Sequence, residues 1–310
     1  MTSNEILKYY REKFDKDGFV DISNDIVNDD IKGDHPGASK IKLECGTFYK
    51  KLCDEDAIRE QFDAEILLSQ VYSKLGLKSA IYVPVKNCGQ KFVLSNDISS
   101  NNTTPASEYH FELSYKHPTI DGLPSCLFQG KNRGFSKLFS KNVIRKRTEM
   151  FLTDASAMNF DRIECNYFYI LKNGKPVDIV LIDYEKSGDN FNYINAVDYG
   201  MSESDYNRYM PRFDETVEML GNGKKYIVKD FYQSDFDSMY ISRKDMIKEI
   251  KQCEDLEDIF DRDDYANRLG SINVKAVARD IKDQINYEVS KKYVEILDRR
   301  FDETAEMLVK

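Results

Sequence analysis

Apolar residues recur at helical spacing over residues 54–75, with Ile58, Phe62, Ile66 and Val71 among them, and Gly76 stands where a helix C-cap belongs. Shorter runs of a different rhythm flank this helix. IKLEC and TFYKKLC, meeting at Gly46, read as two strands joined by a tight turn, and AIYVPV and KFVLS, separated by NCGQ, read as a hairpin. GDHPGASK, residues 33–40, is a glycine-containing loop, and DISSNNTTPASE, residues 97–108, is polar and turn-rich, a linker or mobile loop. Beyond it the pattern turns mainly helical. Residues 135–158 and 274–308 are the longest stretches, the second carrying Val274, Val277, Ile281, Ile285, Val289, Tyr293 and Ile296 at intervals of three or four. Between them residues 166–183 read as a hairpin. The order predicts an α+β fold in two lobes, a small β-rich one over residues 1–97 and a larger helical one over 98–310.

One short phrase occurs twice. RFDETVEML (212–220) and RFDETAEML (300–308) differ at one position of nine. On helices, Phe213/Val217/Leu220 and Phe301/Ala305/Leu308 would each form a buried face, so two similar packing helices are expected.

Composition narrows the function classes. A 41% hydrophobic and 32% charged content suits a folded globular chain. No run approaches the 18 or so apolar residues of a membrane span, and the charged start MTSNEILKYYREKF lacks the apolar core of a signal peptide. Six scattered cysteines without a CxxC pair, beside three histidines, argue against a zinc site or a disulfide framework. A cytoplasmic protein with no membrane partner is the expectation. The net charge of −9 argues against a nucleic-acid partner. Seven cations with no acid among them, Lys131, Arg133, Lys137, Lys141, Arg145, Lys146 and Arg147, form a local exception. Four of these recur every fourth residue, which reads as a solvated helix face or as a docking stripe for an acidic partner.

The remaining chemistry is that of phosphoryl transfer, which needs positioning and charge neutralisation more than covalent help. MNFDRIECNYF supplies Asp161 and, five residues on, Asn166; VLIDYEKS places Asp183 after an apolar strand. Asp161 would orient and deprotonate an acceptor hydroxyl. Asn166 and Asp183 would offer oxygen ligands to Mg²⁺ on ATP. Upstream, Lys50 or Lys51 in TFYKKLC precedes Glu65 in the predicted helix, the order of a lysine on the phosphates and the glutamate that holds it. Strand alternation puts Phe48 with Lys50 and Tyr49 with Lys51. Both faces are aromatic, so alternation leaves the choice open, and Lys50 is taken provisionally. Gly37, Ala38, Ser39 and Lys40 would cradle phosphates through backbone N–H groups, and Ser95 and Asp97 would lie near the base.

MFLTDASAMNFDRIECNYF followed by LIDYEKS resembles the catalytic and metal-binding segments of HipA-like serine/threonine kinases, AEILLSQVYSKLGL their glutamate-bearing helix, and GASKIKL their phosphate loop. The likeness runs with gaps from Gly33 to about Gly188. It implies a two-lobed protein-kinase-like fold, ATP with Mg²⁺, and phosphorylation of protein serine or threonine. It also implies roles: Asp161 catalytic, Asn166 and Asp183 metal ligands, Glu65 the helix glutamate, and Lys50 or its neighbour the ATP lysine. The loop departs from relatives that carry His soon after the aspartate; here it reads Ile163, Glu164, Cys165. The stretch before Gly33 is short for the extra subdomain of HipA itself. A kinase for a lipid or small molecule, and a non-catalytic binding module on the same fold, are the competing expectations.

Overall fold

A computed structural model describes residues 8–32, 39–52, 58–96, 98, 102–116, 139–159, 162, 164–184, 187, 215–219, 225–229, 232–233, 240–241, 243–253 and 256–310. The chain opens with β1 (Val20–Asp21), β2 (Ile26–Lys32), β3 (Ser39–Leu43) and β4 (Gly46–Leu52), followed by α1 (Ile58–Lys74). Next come β5 (Lys78–Ser79), β6 (Tyr82–Asn87), β7 (Gln90–Asn96) and β8 (Thr103–Pro105), then α2 (Ala106–Lys116) and α3 (Lys141–Ala157). The hairpin β9 (Tyr167–Lys172) and β10 (Lys175–Leu181) leads to a two-stranded ribbon, β11 (Glu215–Met219) with β12 (Lys225–Lys229). Four helices close the chain: α4 (Arg243–Gln252), α5 (Arg262–Ser271), α6 (Val274–Ile285) and α7 (Lys291–Val309). The β-rich amino-terminal part and helical carboxy-terminal part expected from the pattern are both present. Among the described residues no helix is long and apolar enough to cross a membrane.

Two sheets organise the site. The first has six strands in the order β1-β6-β7-β4-β3-β2, and the second four in the order β5-β10-β9-β8. Alternation divides the first sheet between two cores. Ile41, Phe48, Val83, Phe92 and Leu94 fill a small core on one side with Tyr10 and Val20. Tyr82 and Val93 join the main core on the other, against Phe62, Ile66 and Tyr72 of α1. The main core continues into α3, α5, α6 and α7, so α1 packs on the carboxy-terminal helices as well as on its own sheet.

Asp63 of α1 fixes that docking. Its buried carboxylate accepts from Tyr287 Oη and from the backbone N–H of Ser290, each at 2.9 Å. Gly18, at φ +81°, lets the amino-terminal turn approach the same connector: a Cβ there would lie 2.6 Å from Tyr287 Cα.

Three expectations change. The stretch 274–308 is two helices, because Asn286 ends α6 in the left-handed conformation (φ 59°) and residues 286–290 turn to meet Asp15 and Asp63. Thr103–Pro105, read as linker, is an edge strand on β9, a position where proline forfeits no ladder bond. The repeated phrase takes two structures. In RFDETAEML, Phe301, Ala305 and Leu308 are buried on α7 as expected. In RFDETVEML, residues 215–219 form β11, paired to KYIVK, while Phe213 and Leu220 lie outside the described residues. Valine favours a strand where alanine favours a helix, but the difference is a few tenths of a kcal/mol, and the neighbouring partner decides.

Candidate active site

The strand β4 carries consecutive lysines to opposite faces. Lys51 lies across from Val93 of β7, on the main-core side, whereas Lys50 lies across from Leu94 on the side of the small core. Lys51 Nζ is consequently 2.7 Å from Oε1 of Glu65 and 2.5 Å from Oδ1 of Asp183. Lys50 Nζ instead binds Asp29 of β2 at 2.5 Å. The pairing expected of Lys50 is made by Lys51. Two aromatic neighbours could not choose between the faces; the register against β7 does.

Glu65 is fully buried on α1, and its second oxygen accepts from the N–H of Tyr184 at 3.2 Å. Burial, opposed by the Lys51 ammonium and assisted by Asp183, pushes its carboxyl up to about 7. Asp183 follows β10 and is only partly buried. It adopts φ +62°, a left-handed conformation that Asp tolerates better than most residues, and Tyr82 Oη accepts from its N–H at 3.0 Å. That turn is what aims the residue after a strand back toward β4, and such backbone outliers gather at functional sites.

Asn166, 7% exposed, ends a short 3₁₀ turn (Glu164–Asn166) that enters β9. Its carbonyl accepts from the N–H of Ile182 at 3.1 Å, so the loop bearing Asn166 and the strand end bearing Asp183 run side by side. Asp161 lies outside the described residues, as do Gly37, Ala38 and Asp97. Ser39 sits in β3 and donates to the carbonyl of Lys50 at 3.2 Å. Lys40 faces Tyr49, its Nζ 4.7 Å from the ring centre, and Ser95 also lies opposite Tyr49. By alternation Lys40, Tyr49, Lys51 and Ser95 share one sheet face, the face that meets Glu65, whereas Ser39 belongs to the other.

Among the described residues no group of three or more His, Cys, Asp and Glu side chains gathers as a metal cluster. The pair at hand, one amide and one carboxylate side chain on adjacent segments, offers the oxygen donors that suit a hard cation completing its shell with phosphate and water.

Several participants carried no recognisable signal in sequence. Arg162, 1% exposed, donates Nε to Asp154 Oδ2 at 3.1 Å and Nη1 to the carbonyl of Asn166 at 2.6 Å and to that of Ile182. Asp154 also accepts from Tyr72 Oη at 2.6 Å and from the side-chain amide of Asn159 at 2.9 Å. Only the D-R-x-x-x-N spacing hinted at Arg162, and nothing local marks Asp154 or Tyr72.

The basic stripe is largely engaged internally where it is described. Arg145 and Lys146 bind Glu149 at 3.1 and 3.2 Å, and Arg147 is fully buried beside Tyr167. Lys141 is exposed, while Lys131, Arg133 and Lys137 lie outside the described residues.

No family model and no curated protein matches the chain. Among solved structures it is similar to the Helicobacter pylori proinflammatory kinase CtkA, at 14% identity and a TM-score of 0.49, covering 89% of this chain and 90% of that one. It is similar at 12% identity and a TM-score of 0.36 to a chain of the Shewanella oneidensis MR-1 toxin–antitoxin complex of HipA, HipB and operator DNA, covering 91% of this chain and 62% of that one. A third neighbour is the choline kinase LicA from Streptococcus pneumoniae, at 10% identity and a TM-score of 0.28, covering 98% and 99%.

Proposed function

We propose that the protein is an ATP- and Mg²⁺-dependent phosphotransferase acting on serine or threonine of a protein substrate, with residues 1–97 as its small lobe and 98–310 as its large one. The observation that carries the reading is the ammonium of Lys51 held between a buried helix glutamate and a strand-end aspartate, 2.7 Å from Glu65 and 2.5 Å from Asp183. A structural ion pair has little use for a carboxylate buried at a cost of several kcal/mol beside a second carboxylate on a strained turn. A lysine that must be aimed at a phosphate has.

In this reading Lys51 directs its charge to phosphate oxygens, and Glu65 fixes the side chain so that little rotamer freedom is lost on binding. Magnesium-bound ATP supplies the transferable phosphoryl group, with Asn166 and Asp183 as the residues that would hold the metal. Asp161 orients the acceptor hydroxyl and takes its proton. Lys40 and Ser95, on the face of Lys51, would line the nucleotide, and exposed Lys141 would meet an acidic substrate.

Incubation with γ-labelled ATP and Mg²⁺, alone and with generic protein, choline and lipid acceptors, tests the activity and the acceptor class together. Asp161→Ala is expected to lose on the order of 10²–10⁴ in rate with nucleotide binding retained. Transfer to choline or lipid but not to protein would move the acceptor to a small molecule. Absence of any transfer, with Mg²⁺–ATP bound, would leave a binding module.

A further inference from the structure

The polar groups around the site close into a ring that begins and ends on α1. One arm runs from Glu65 through Lys51 to Asp183. The other leaves α1 two turns later, at Tyr72, and passes through Asp154 to Arg162 and so to the carbonyls of Asn166 and Ile182. Residues seven apart lie on one helix face, so both arms spring from the same side of α1. Tyr184 ties the arms together: its N–H reaches Glu65 at 3.2 Å, and its ring lies 5.1 Å beneath the Arg162 guanidinium.

Arg162 and Asp154 are 1% and 2% exposed. A buried pair of this kind adds little net stability over apolar residues of the same size, and the guanidinium spends its remaining donors on two main-chain carbonyls. Those carbonyls belong to Asn166 and to the residue immediately before Asp183. The planar guanidinium holds Asp154 through Nε and Nη2 and both carbonyls through Nη1, so one rigid group fixes the carboxylate and the two segments at once, which a lone ammonium on a flexible stem does not.

We propose that Asp154 and Arg162 are positioning residues for the metal–nucleotide site. They hold the segments of Asn166 and Asp183 in register, and Tyr72 ties that register to the helix that carries Glu65. A displacement of α1 would then loosen the lysine clamp and the metal-holding segments together. The inference rests on the phosphotransferase reading of the same site.

The test uses the full chain with Tyr72→Phe, which deletes one hydroxyl, and Arg162→Lys, which keeps the charge and loses the fork. Tyr10→Phe is the control: it removes another buried hydroxyl, one that meets Cys45 Sγ at 3.6 Å in the small core, away from the ring. The measurement is the rise in Tm with ATP, titrated with Mg²⁺ and repeated in EDTA, beside kcat and KM. Both ring variants are expected to need about tenfold more Mg²⁺ for half of the rise, the scale on which residues supporting metal ligands act. ATP binding in EDTA should be unchanged, and kcat should fall more than KM rises. The control should lower Tm in every condition and leave the Mg²⁺ midpoint alone. If the ring variants behave like the control, the residues are structural and the proposal is overturned. If the wild type itself shows no Mg²⁺-dependent rise, the phosphotransferase reading fails at the outset, a result distinct from failure of the ring.

Discussion

Replacing Glu65 by Gln separates stability from function in a way the site geometry makes quantitative. The unfolded chain releases the Glu65 proton near the ordinary value of 4.5, and the folded chain holds it up to about 7. The folded state therefore binds more protons between these values, and stability falls with rising pH across them. The contribution of this group is fully present below pH 4.5 and is lost as pH rises through 7. At 1.36 kcal/mol per pH unit the loss amounts to about 3 kcal/mol. Glutamine cannot ionise, so it abolishes that slope. It also leaves one acceptor oxygen where Lys51 Nζ and the Tyr184 N–H now use two, a cost of about 1 kcal/mol. Glu65→Gln should accordingly be about 1 kcal/mol less stable than wild type at pH 4.5 and about 2 kcal/mol more stable at pH 8. Denaturant unfolding of both proteins without nucleotide at the two pH values, with m unchanged, measures the crossing. The same variant should lose roughly 100-fold in kcat/KM, since a lysine that is no longer fixed misplaces its charge. A variant destabilised equally at both pH values would refute the reasoning, because it would show that Lys51 keeps Glu65 ionised throughout.

Further expectations follow from the same geometry. Lys51→Met should cut kcat/KM about 100-fold and combine non-additively with Glu65→Gln, whereas Lys50→Met, which loses the Asp29 pair and the contact with the Phe92 ring, should stay within a few-fold of wild type; equal losses in the two lysine variants would reject the assignment. Gly18→Ala should lower stability by about 2–4 kcal/mol, from a forced positive φ and a Cβ 2.6 Å from Tyr287 Cα, read as a shift in denaturation midpoint; an unchanged midpoint would mean that the connector is not packed there. Lys141→Glu should slow phosphorylation of an acidic protein at low ionic strength and lose that effect above about 0.1 M salt; identical rates at low salt would leave Lys141 as a solvated residue.

The linear chain determined the order of the elements and most of the chemistry on offer. Helical spacing found α1, alternation and turn residues found β3, β4, β6 and β7, and the hairpin β9–β10 stands where residues 166–183 placed it. These are local properties, fixed by periods of 3.6 and 2 and by residues such as Gly46, Gly76 and Asn173–Gly174 that take positive φ. The choice between Lys50 and Lys51 was not local. It follows from which side of β4 meets α1, and that is set by register against β7 and by the anchoring of Asp63 on Tyr287 and Ser290, more than two hundred residues away in sequence. The two RFDET phrases make the same point from the other direction, for nine nearly identical residues are helix against α3 and α5 in one place and contain a strand beside KYIVK in the other. Arg162 and Asp154 gain their roles only when α1, α3, the 3₁₀ turn and the end of β10 converge, because a buried guanidinium and carboxylate must be satisfied by each other and by the groups that arrive beside them, Tyr72, Asn159 and the nearby carbonyls. Periodicity therefore settles what each segment is; the pairing of buried polar groups, which depends on who arrives from elsewhere in the chain, settles what the site can do.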